Sequence, residues 1–297
     1  MLGPVPELPE MQALAERLDR FVGGSVLSGA DALQFSALKT VVPAPESLVG
    51  KSVEHVGRRG KYVLFELTAD PAAKGGGVPA KQAKGPRLVV HLSQGGRVDV
   101  EDPPKATRPK GAVVRLRFEG RPSVLVTEFG TERKAAWWVL EAGEEGPLEG
   151  LGPEPFSDEF AELIGSGDDR RRLHTMLRDQ RTVAGIGRGY ADDILHQARL
   201  SPFASLASLD AGERQALLDA THAVLEGALA GERKRTGGLP AKLNERFAIH
   251  RQAGRPCPRC GGDLRRVSYE SHEVAYCPTC QTGGKILADR RMSRLIR

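Results

Sequence analysis

Four cysteines near the end of the chain form the clearest metal-binding pattern in the sequence. They are Cys257, Cys260, Cys277 and Cys280, and sixteen residues separate the two Cys-x-x-Cys pairs. This spacing predicts a four-thiolate zinc site, because each pair supplies two sulfurs to one tetrahedral ion. Two disulfides are the alternative. The chain has no other cysteines and no basic-then-apolar leader pattern, which favours one structural Zn²⁺.

The residues between the cysteine pairs can form a β-hairpin that carries Arg265, Arg266 and His272. A module this small lacks the core to fold alone, so the metal would supply folding energy. Basic side chains on such a hairpin often bind nucleic acid, although zinc ribbons also serve as plain scaffolds.

Charge is distributed unevenly along the chain. The formal net charge is +5, but residues 231–297 contain 15 Lys and Arg against 6 Asp and Glu. That quarter has a net charge of +9, and the other 230 residues have −4. A basic end on an acidic body favours a polyanionic partner, and a solvated basic tail is the alternative.

Length and composition exclude several protein classes. The 297 residues suffice for two domains of about 150 residues each. No apolar run approaches the ~20 residues that a membrane span needs. Gly and Pro are aperiodic, which argues against a collagen-like chain. We therefore expect a cytoplasmic protein without a membrane partner.

The first half of the chain reads as a helix followed by antiparallel strands. Apolar residues at helical spacing predict a helix over 10–22, which Gly23 and Gly24 end. Short β-branched runs predict strands at 53–56, 62–67, 88–92, 113–118 and 124–127. Residues 70–86 read as a flexible insertion between two strands.

The second half reads as helical. A Gly-, Glu- and Pro-rich stretch at 141–156 predicts a linker, and helices are predicted at 157–164, 168–179, 189–198 and 210–230. Gly185 and Gly187 precede the third of these helices. Unencumbered backbone amides at a helix N-terminus suit a phosphate, although Gly-x-Gly alone is weak evidence.

Five motifs coincide in order along nearly the whole chain. They are Pro-Glu-Leu-Pro-Glu at 6–10, Arg-Arg-Gly-Lys-Tyr at 58–62, His-Leu at 91–92, Ala-Gly-Ile-Gly-Arg-Gly-Tyr at 184–190, and the cysteine pairs. Together they resemble the formamidopyrimidine-DNA glycosylase / endonuclease VIII family. The opening motif and the cysteine spacing are the specific ones.

The resemblance implies an α+β fold with four parts: a β-sandwich with an N-terminal helix at 1–140, a linker at 141–156, a helix–two-turns–helix domain at 157–250, and a zinc finger with a basic tail at 251–297. It also implies a monomeric, nucleoid-associated DNA glycosylase and AP lyase. Its partner would be damaged double-stranded DNA, and strand cleavage would follow by β,δ-elimination.

The same resemblance assigns the catalytic residues. Pro6 would be the amine nucleophile, Glu7 the general acid/base, Glu10 a supporting carboxylate, and Lys61 a partner of the phosphate near the lesion. The alternatives are structural: Glu7 and Glu10 could be first-turn acids that favour the helix dipole, and Lys61 an ordinary strand-edge lysine.

The start of the sequence departs from the family pattern. Pro6 follows Met1-Leu-Gly-Pro-Val5, and a proline inside a chain has no free amine for a Schiff base. We hypothesise that Val5 is a misread alternative start codon and that trimming exposes Pro6.

The expected DNA contacts also depart from the family. Gln94 stands where the family has a bulky residue that fills the gap left by the flipped base. Phe129, preceded by Glu128 rather than Arg, is a wedge or a core residue. A second function therefore stays open, that of a lyase-dead or non-enzymatic protein that binds damaged DNA.

In the second half, Gly187, Arg188 and Tyr190 are the expected DNA contacts, with Arg188 in place of the family asparagine. His272 replaces the finger arginine, and Arg265 or Arg266 could compensate. The segment at 236–242 is short where 8-oxoguanine-specific members carry a long capping loop. This favours oxidised pyrimidines or a less usual lesion.

Overall fold

The computed structural model describes residues 5–69, 84–129, 133–239, 247–269 and 273–287. The chain forms two compact units. The first contains Met1–Glu149 and Gly231–Leu243, and the second contains Gly150–Ala230 and Asn244–Arg297. The chain therefore returns to the first unit once before it completes the second.

The first unit combines one helix with two four-stranded antiparallel sheets. Helix α1 spans Leu8–Val22. The strands are β1 (Leu27–Ala32), β2 (Val53–Arg59), β3 (Tyr62–Leu67), β4 (Arg87–His91), β5 (Gly96–Glu101), β6 (Ala112–Phe118), β7 (Ser123–Glu128) and β8 (Ala136–Leu140). One sheet has the order β1-β6-β7-β5 and the other β2-β3-β4-β8.

One hydrophobic core joins both sheets to α1. The helix contributes Met11, Leu14, Leu18 and Val22, the apolar residues whose spacing predicted it. It ends at Gly23, where an added Cβ would lie 2.5 Å from the Asp19 carbonyl oxygen, so a larger residue does not fit there. Strands of both sheets contribute buried residues to the same core, many of them Val.

Arg17 fastens the returning segment to α1. The residue is 2% exposed, and its guanidinium donates to the carbonyls of Glu232, Gly237 and Gly238 at 3.1, 2.8 and 3.2 Å. Leu239 then pairs with Val98 of β5 through backbone hydrogen bonds in both directions. Residues 232–239 thus belong to the packing of the first unit.

The second unit is helical and carries the cysteine hairpin. Its elements are α2 (Asp158–Ser166), α3 (Leu173–Arg178), α4 (Arg188–Gln197), most of α5 (Ala211–Arg233), β9 (Arg265–Ser268), β10 (Glu273–Tyr276) and α6 (Pro278–Thr282). Among the described residues, none of the helices combines the length and apolar character that a bilayer crossing requires.

The helix predicted at 168–179 is shorter than expected. It begins at Leu173, because the preceding residues make other contacts. The Asp169 carboxylate accepts from the backbone and guanidinium of Arg171, and Arg172 forms a β-bridge with Ser205. Local side-chain bonding of Asp competes with the helix here.

Candidate active site and nucleic-acid interface

The first turn of α1 holds the predicted catalytic carboxylates. Pro6 is buried, Glu7 is 3% exposed and Glu10 is fully buried. Glu7 is the N-cap residue, and its backbone N–H donates to Glu10 Oε2 at 2.8 Å. With the Glu7 side chain facing the Glu10 backbone N–H in return, this forms a capping box, which fixes the backbone at Glu7. Glu10 therefore supports Glu7 through the main chain.

Strand β2 brings Lys61 towards the same end of α1. The two elements run antiparallel, because Val56 N–H donates to Asp19 Oδ1 at 2.7 Å while Arg58 Nε donates to Gln12 Oε1 at 3.0 Å. The strand therefore runs from the C-terminal end of α1 towards its N-terminal end, and Lys61 lies in the turn that follows it.

His91 lies beside Lys61 and was not among the predicted site residues. Tyr62 of β3 pairs with His91 of β4, and their ring centroids are 4.7 Å apart. Burial, and next the positive charge of Lys61, lower the pKa of His91 to about 4. The imidazole is therefore neutral near pH 7. The His-Leu motif at 91–92 was the available signal for it.

Gln94 and Phe129 lie next to each other at one edge of the first unit. Phe129 N–H donates to the Gly95 carbonyl at 3.0 Å, and Gln94 is exposed in the turn between β4 and β5. Only glycine permits this approach, because a Cβ at Gly95 would lie 2.0 Å from the Phe129 oxygen. Phe129 is 48% exposed, so the alternative that it is a core residue is wrong.

Glu128 has a structural role at the position where the family places an arginine. It is 2% exposed, and its Oε1 accepts from the backbone N–H groups of Lys134 and Ala135 at 2.7 and 2.9 Å. The carboxylate thus closes the loop that follows Phe129. Residues 130–132 lie outside the described ranges.

The N-terminus of α4 is organised by Gln180. Its Oε1 accepts from Gly185 N–H at 2.9 Å and its Nε2 donates to the Ile186 carbonyl at 2.6 Å. Gly185 has φ +93°, which glycine adopts without strain. Gly187 is the N-cap residue and Arg188 the first residue of the helix.

The structure does not support a direct DNA contact by the Tyr190 side chain. Tyr190 is 1% exposed, and its ring packs edge-on against Phe247 at a centroid distance of 5.1 Å. We correct its assignment to the core of the second unit.

The four cysteine sulfurs form a compact cluster. They lie within 4.8 Å of one another, with Cys260–Cys277 at 3.5 Å and Cys257–Cys280 at 3.9 Å. A tetrahedron with Zn–S bonds of about 2.3 Å has edges of about 3.8 Å. A disulfide needs about 2.05 Å, and all four cysteines are free. The sulfur arrangement therefore fits a metal ion, and the disulfide alternative is not the one observed.

The four thiols differ in acidity: burial raises the pKa of Cys277 and of Cys280, whereas the pKa of Cys260 is lowered. The Gly262 N–H, followed by the neighbouring thiols, lowers the pKa of Cys260 to about 7. This direction suits a metal ligand.

The hairpin arginines are exposed and paired with acids. Arg266 Nη1 lies 3.0 Å from Glu273 Oε2, and Arg265 Nη2 lies 4.0 Å from Asp263 Oδ2. Because they are adjacent in β9, the two side chains point to opposite faces of the hairpin. His272 lies outside the described residues.

Known proteins resemble this chain over nearly its whole length. Residues 5–136 match the formamidopyrimidine-DNA glycosylase N-terminal domain, and residues 151–237 match the H2TH domain of the same proteins. A formamidopyrimidine-DNA glycosylase of Thermus thermophilus is 32% identical over 291 residues, covering 94% of this chain and all of the relative. The chain belongs to the formamidopyrimidine-DNA glycosylase family.

Two further similarities support this assignment. The crystal structure of the MutM (Fpg) protein of Thermus thermophilus superposes with a TM-score of 0.75 at 29% identity, over 95% of this chain and 100% of that one. An uncharacterized formamidopyrimidine-DNA glycosylase-like protein of Mycobacterium tuberculosis is 41% identical over 154 residues, covering 50% of this chain and 94% of its own. The predicted family, the α+β fold class and the DNA glycosylase class of enzyme are confirmed.

Proposed function

We propose that this glycosylase excises oxidatively damaged bases from double-stranded DNA and then cleaves the strand by β,δ-elimination. It would act as a monomer at the nucleoid. What supports the proposal is the antiparallel course of β2 along α1: the strand runs towards the helix end where Pro6 and Glu7 lie, and Lys61 is in the turn that follows it. A nucleophile, an acid/base and a cation for phosphate are the groups that this reaction needs.

The reaction would use the amine of Pro6. A damaged base first leaves the stack. The amine nitrogen then bonds to C1′ while the bond between C1′ and the base breaks, and the departing base takes a proton from solvent. Glu7 removes the proton from the bound nitrogen and delivers it to the sugar ring oxygen as the C1′–O4′ bond opens, which leaves a C1′=N⁺ Schiff base. A terminal α-amine near pKa 8 is about one-tenth unprotonated at pH 7, whereas a lysine near 10.4 is under about a thousandth. The resulting Schiff base acidifies the C2′ protons, which permits loss of the 3′ and then the 5′ phosphate.

This chemistry requires that Pro6 is the first residue of the active protein. Val5 directly precedes the intact Pro-Glu-Leu-Pro-Glu motif, so an active form that starts at Pro6 is part of the proposal. N-terminal sequencing of the natively expressed protein tests it, and a Met1 or Leu2 terminus contradicts it.

The remaining predicted residues would bind and shape the DNA. Lys61 would pair with the phosphate near the lesion. Gln94 would fill the gap left by the flipped base, and Phe129, adjacent and exposed, would be the wedge at the opposite base. Gly187 and Arg188 would bind backbone phosphate at the N-terminus of α4.

In the C-terminal module, Arg265 and Arg266 would add phosphate contacts from the hairpin, with His272 beyond β9 as a further expected contact. Cys257, Cys260, Cys277 and Cys280 would hold one structural Zn²⁺, and four sulfurs leave no open position for substrate.

Borohydride trapping on duplex DNA with an abasic site tests the proposal. Protein verified to begin at Pro6 is compared with the same chain beginning at Met1, whose Pro6 nitrogen is an amide. We expect a covalent adduct from the first and none from the second. If neither chain forms an adduct while both bind lesion DNA, the non-enzymatic damaged-DNA binder replaces this proposal. The burial of Glu128 in place of the wedge arginine favours that second candidate.

A further inference from the structure

A histidine outside the cysteine motif touches the sulfur cluster. His196 lies near the end of α4, is 4% exposed, and has its Nε2 atom 3.2 Å from Cys257 Sγ. Its ring is not one of the metal-ligating groups of the cluster, which among the described residues comprises the four cysteines. The contact is therefore one between a ring nitrogen and a ligand sulfur.

We propose that His196 is a positioning residue of the zinc site, which donates from Nε2–H to the Cys257 thiolate and couples zinc loading to helix α4. The inference rests on the proposed zinc site. A zinc-bound thiolate can only accept, so the ring nitrogen that faces it must carry the hydrogen. Such hydrogen bonds hold a ligand in place and withdraw charge from the sulfur.

Two other contacts join the cysteine module to the same end of α4. Arg259, between Cys257 and Cys260, donates to the carbonyls of His196 and Gln197 at 2.7 and 3.2 Å. A cation at these last carbonyls is favourable because the helix C-terminus is negative.

Gln281 extends this attachment past the end of the helix. Its Nε2 donates to the Leu200 carbonyl at 2.9 Å, and its Oε1 accepts from Cys277 N–H at 2.8 Å. Both cysteine pairs are thus tied to the end of α4 or to the residues that follow it.

The middle of α4 is tied to the segment that leads into the cysteines. The Asp193 carboxylate accepts from Ala248, Ile249 and His250 N–H at 2.7, 3.0 and 3.3 Å. From Arg188 to His196 the helix is about 12 Å long. The zinc site therefore adjoins the C-terminal end of α4, and the expected phosphate contact lies at the N-terminal end of the same short helix.

The test compares zinc retention in full-length variants. His196→Phe keeps a planar ring and removes the donor, whereas His196→Gln keeps an N–H group. The matched control is His222→Phe, because His222 Nε2 bonds the Pro155 carbonyl oxygen at 2.9 Å rather than a sulfur. The readouts are zinc per chain, the Kd from competition with a chromophoric chelator, and the charge-transfer bands of the Co²⁺-substituted protein.

We expect His196→Phe to bind zinc about 10- to 100-fold more weakly than the wild type, the range typical of lost outer-shell partners. Its Co²⁺ charge-transfer bands should move to lower energy, because the sulfur becomes more electron-rich. His196→Gln should fall between the two, and His222→Phe should match the wild type. If His196→Phe does not fold, the Kd and bands of His196→Gln decide the question. Hydrogen exchange in α4 should rise on zinc removal in the wild type.

Equal zinc affinity and equal Co²⁺ bands in the wild type and His196→Phe would overturn the inference. A wild type that binds neither zinc nor Co²⁺ would remove the zinc site and the inference together. Failure of borohydride trapping in a zinc-loaded protein would remove the proposed lyase activity and leave this inference standing, so the failures are distinguishable.

Discussion

The N-terminal end of α1 and the C-terminal end of α4 hold their functional groups by different means. At α1 the contacts are made to the backbone: the Glu10 carboxylate accepts from the Glu7 N–H, and Lys61 lies in the turn between β2 and β3. At α4 the side chains do it: His196 and Arg259 reach between the helix and the cysteine module. Substitutions at the start of α1 can thus abolish the reaction without unfolding the protein. At the end of α4, by contrast, the fold of the cysteine module and the metal site depend on each other.

Metal removal should give the largest difference between the two regions. Chelation, or the substitution Cys277→Ser, should unfold β9 and β10, because structural zinc contributes roughly 10–16 kcal/mol in zinc-finger peptides. Hydrogen exchange measures this, and α1 amides serve as the internal control because they lie in the other unit. Continued protection of the hairpin without metal would contradict the dependence of fold on zinc.

The substitution Glu7→Gln should slow base excision and leave the fold unchanged. Loss of a general acid/base slows base excision by about 10²- to 10⁴-fold. The Gln side chain has the same shape, and Glu10 can still accept the backbone N–H, so the free energy of unfolding should change little. Single-turnover excision from lesion duplexes measures the rate. Glu16→Gln, on the same helix, is the control, and an equal loss there would refute a specific role for Glu7.

Arg188→Ala should weaken DNA binding without selectivity for damage. Loss of one phosphate contact lowers the magnitude of the slope of log K against log salt by about 0.9 and reduces affinity by about tenfold. Fluorescence anisotropy with damaged and undamaged duplexes measures both. Arg121→Ala removes the same charge from the exposed turn between β6 and β7, at the opposite end of β7 from Phe129. An unchanged slope for Arg188→Ala would exclude that contact.

Glu10→Ala should give the smallest effect, about 1 kcal/mol of unfolding free energy, the usual cost of a lost helix cap. Urea unfolding measures it, with Glu119→Ala in an exposed turn as the control. The rate of base excision should also decrease, because the backbone of Glu7 is no longer held in place. Full activity in Glu10→Ala would show that the cap does not position Glu7.

Features set by neighbouring residues were predictable from the sequence. The end of α1 at Gly23 and the cysteine hairpin follow from local patterns, and the structure has both. Strands β1, β5 and β8 were not identified individually. Gly and charged residues obscure the alternation in β1 and β5, which are defined by their pairing with β6 and β7, and β8 is defined by its pairing with β4. Whether such a segment forms a strand depends on its pairing with strands that are distant in the sequence.

The same division applies to the candidate site. The zinc ligands lie in a spacing that can be read directly, whereas the position of His91 beside Lys61 depends on the pairing of β3 with β4. The burial of Tyr190 depends on Phe247, 57 positions later, and the sequence around Tyr190 does not show it. The sequence motifs identified candidate site residues, but they did not show which of these side chains are exposed.

The contacts of Arg17 bear on how the protein is synthesised. Its three carbonyl acceptors lie 215 to 221 residues later in the chain. While the ribosome is still making the second unit, α1 has already emerged with a guanidinium that lacks these acceptors. The first unit therefore reaches its final packing only after most of the chain has been translated. For the same reason, a fragment cut at the boundary near residue 149 would not reproduce it.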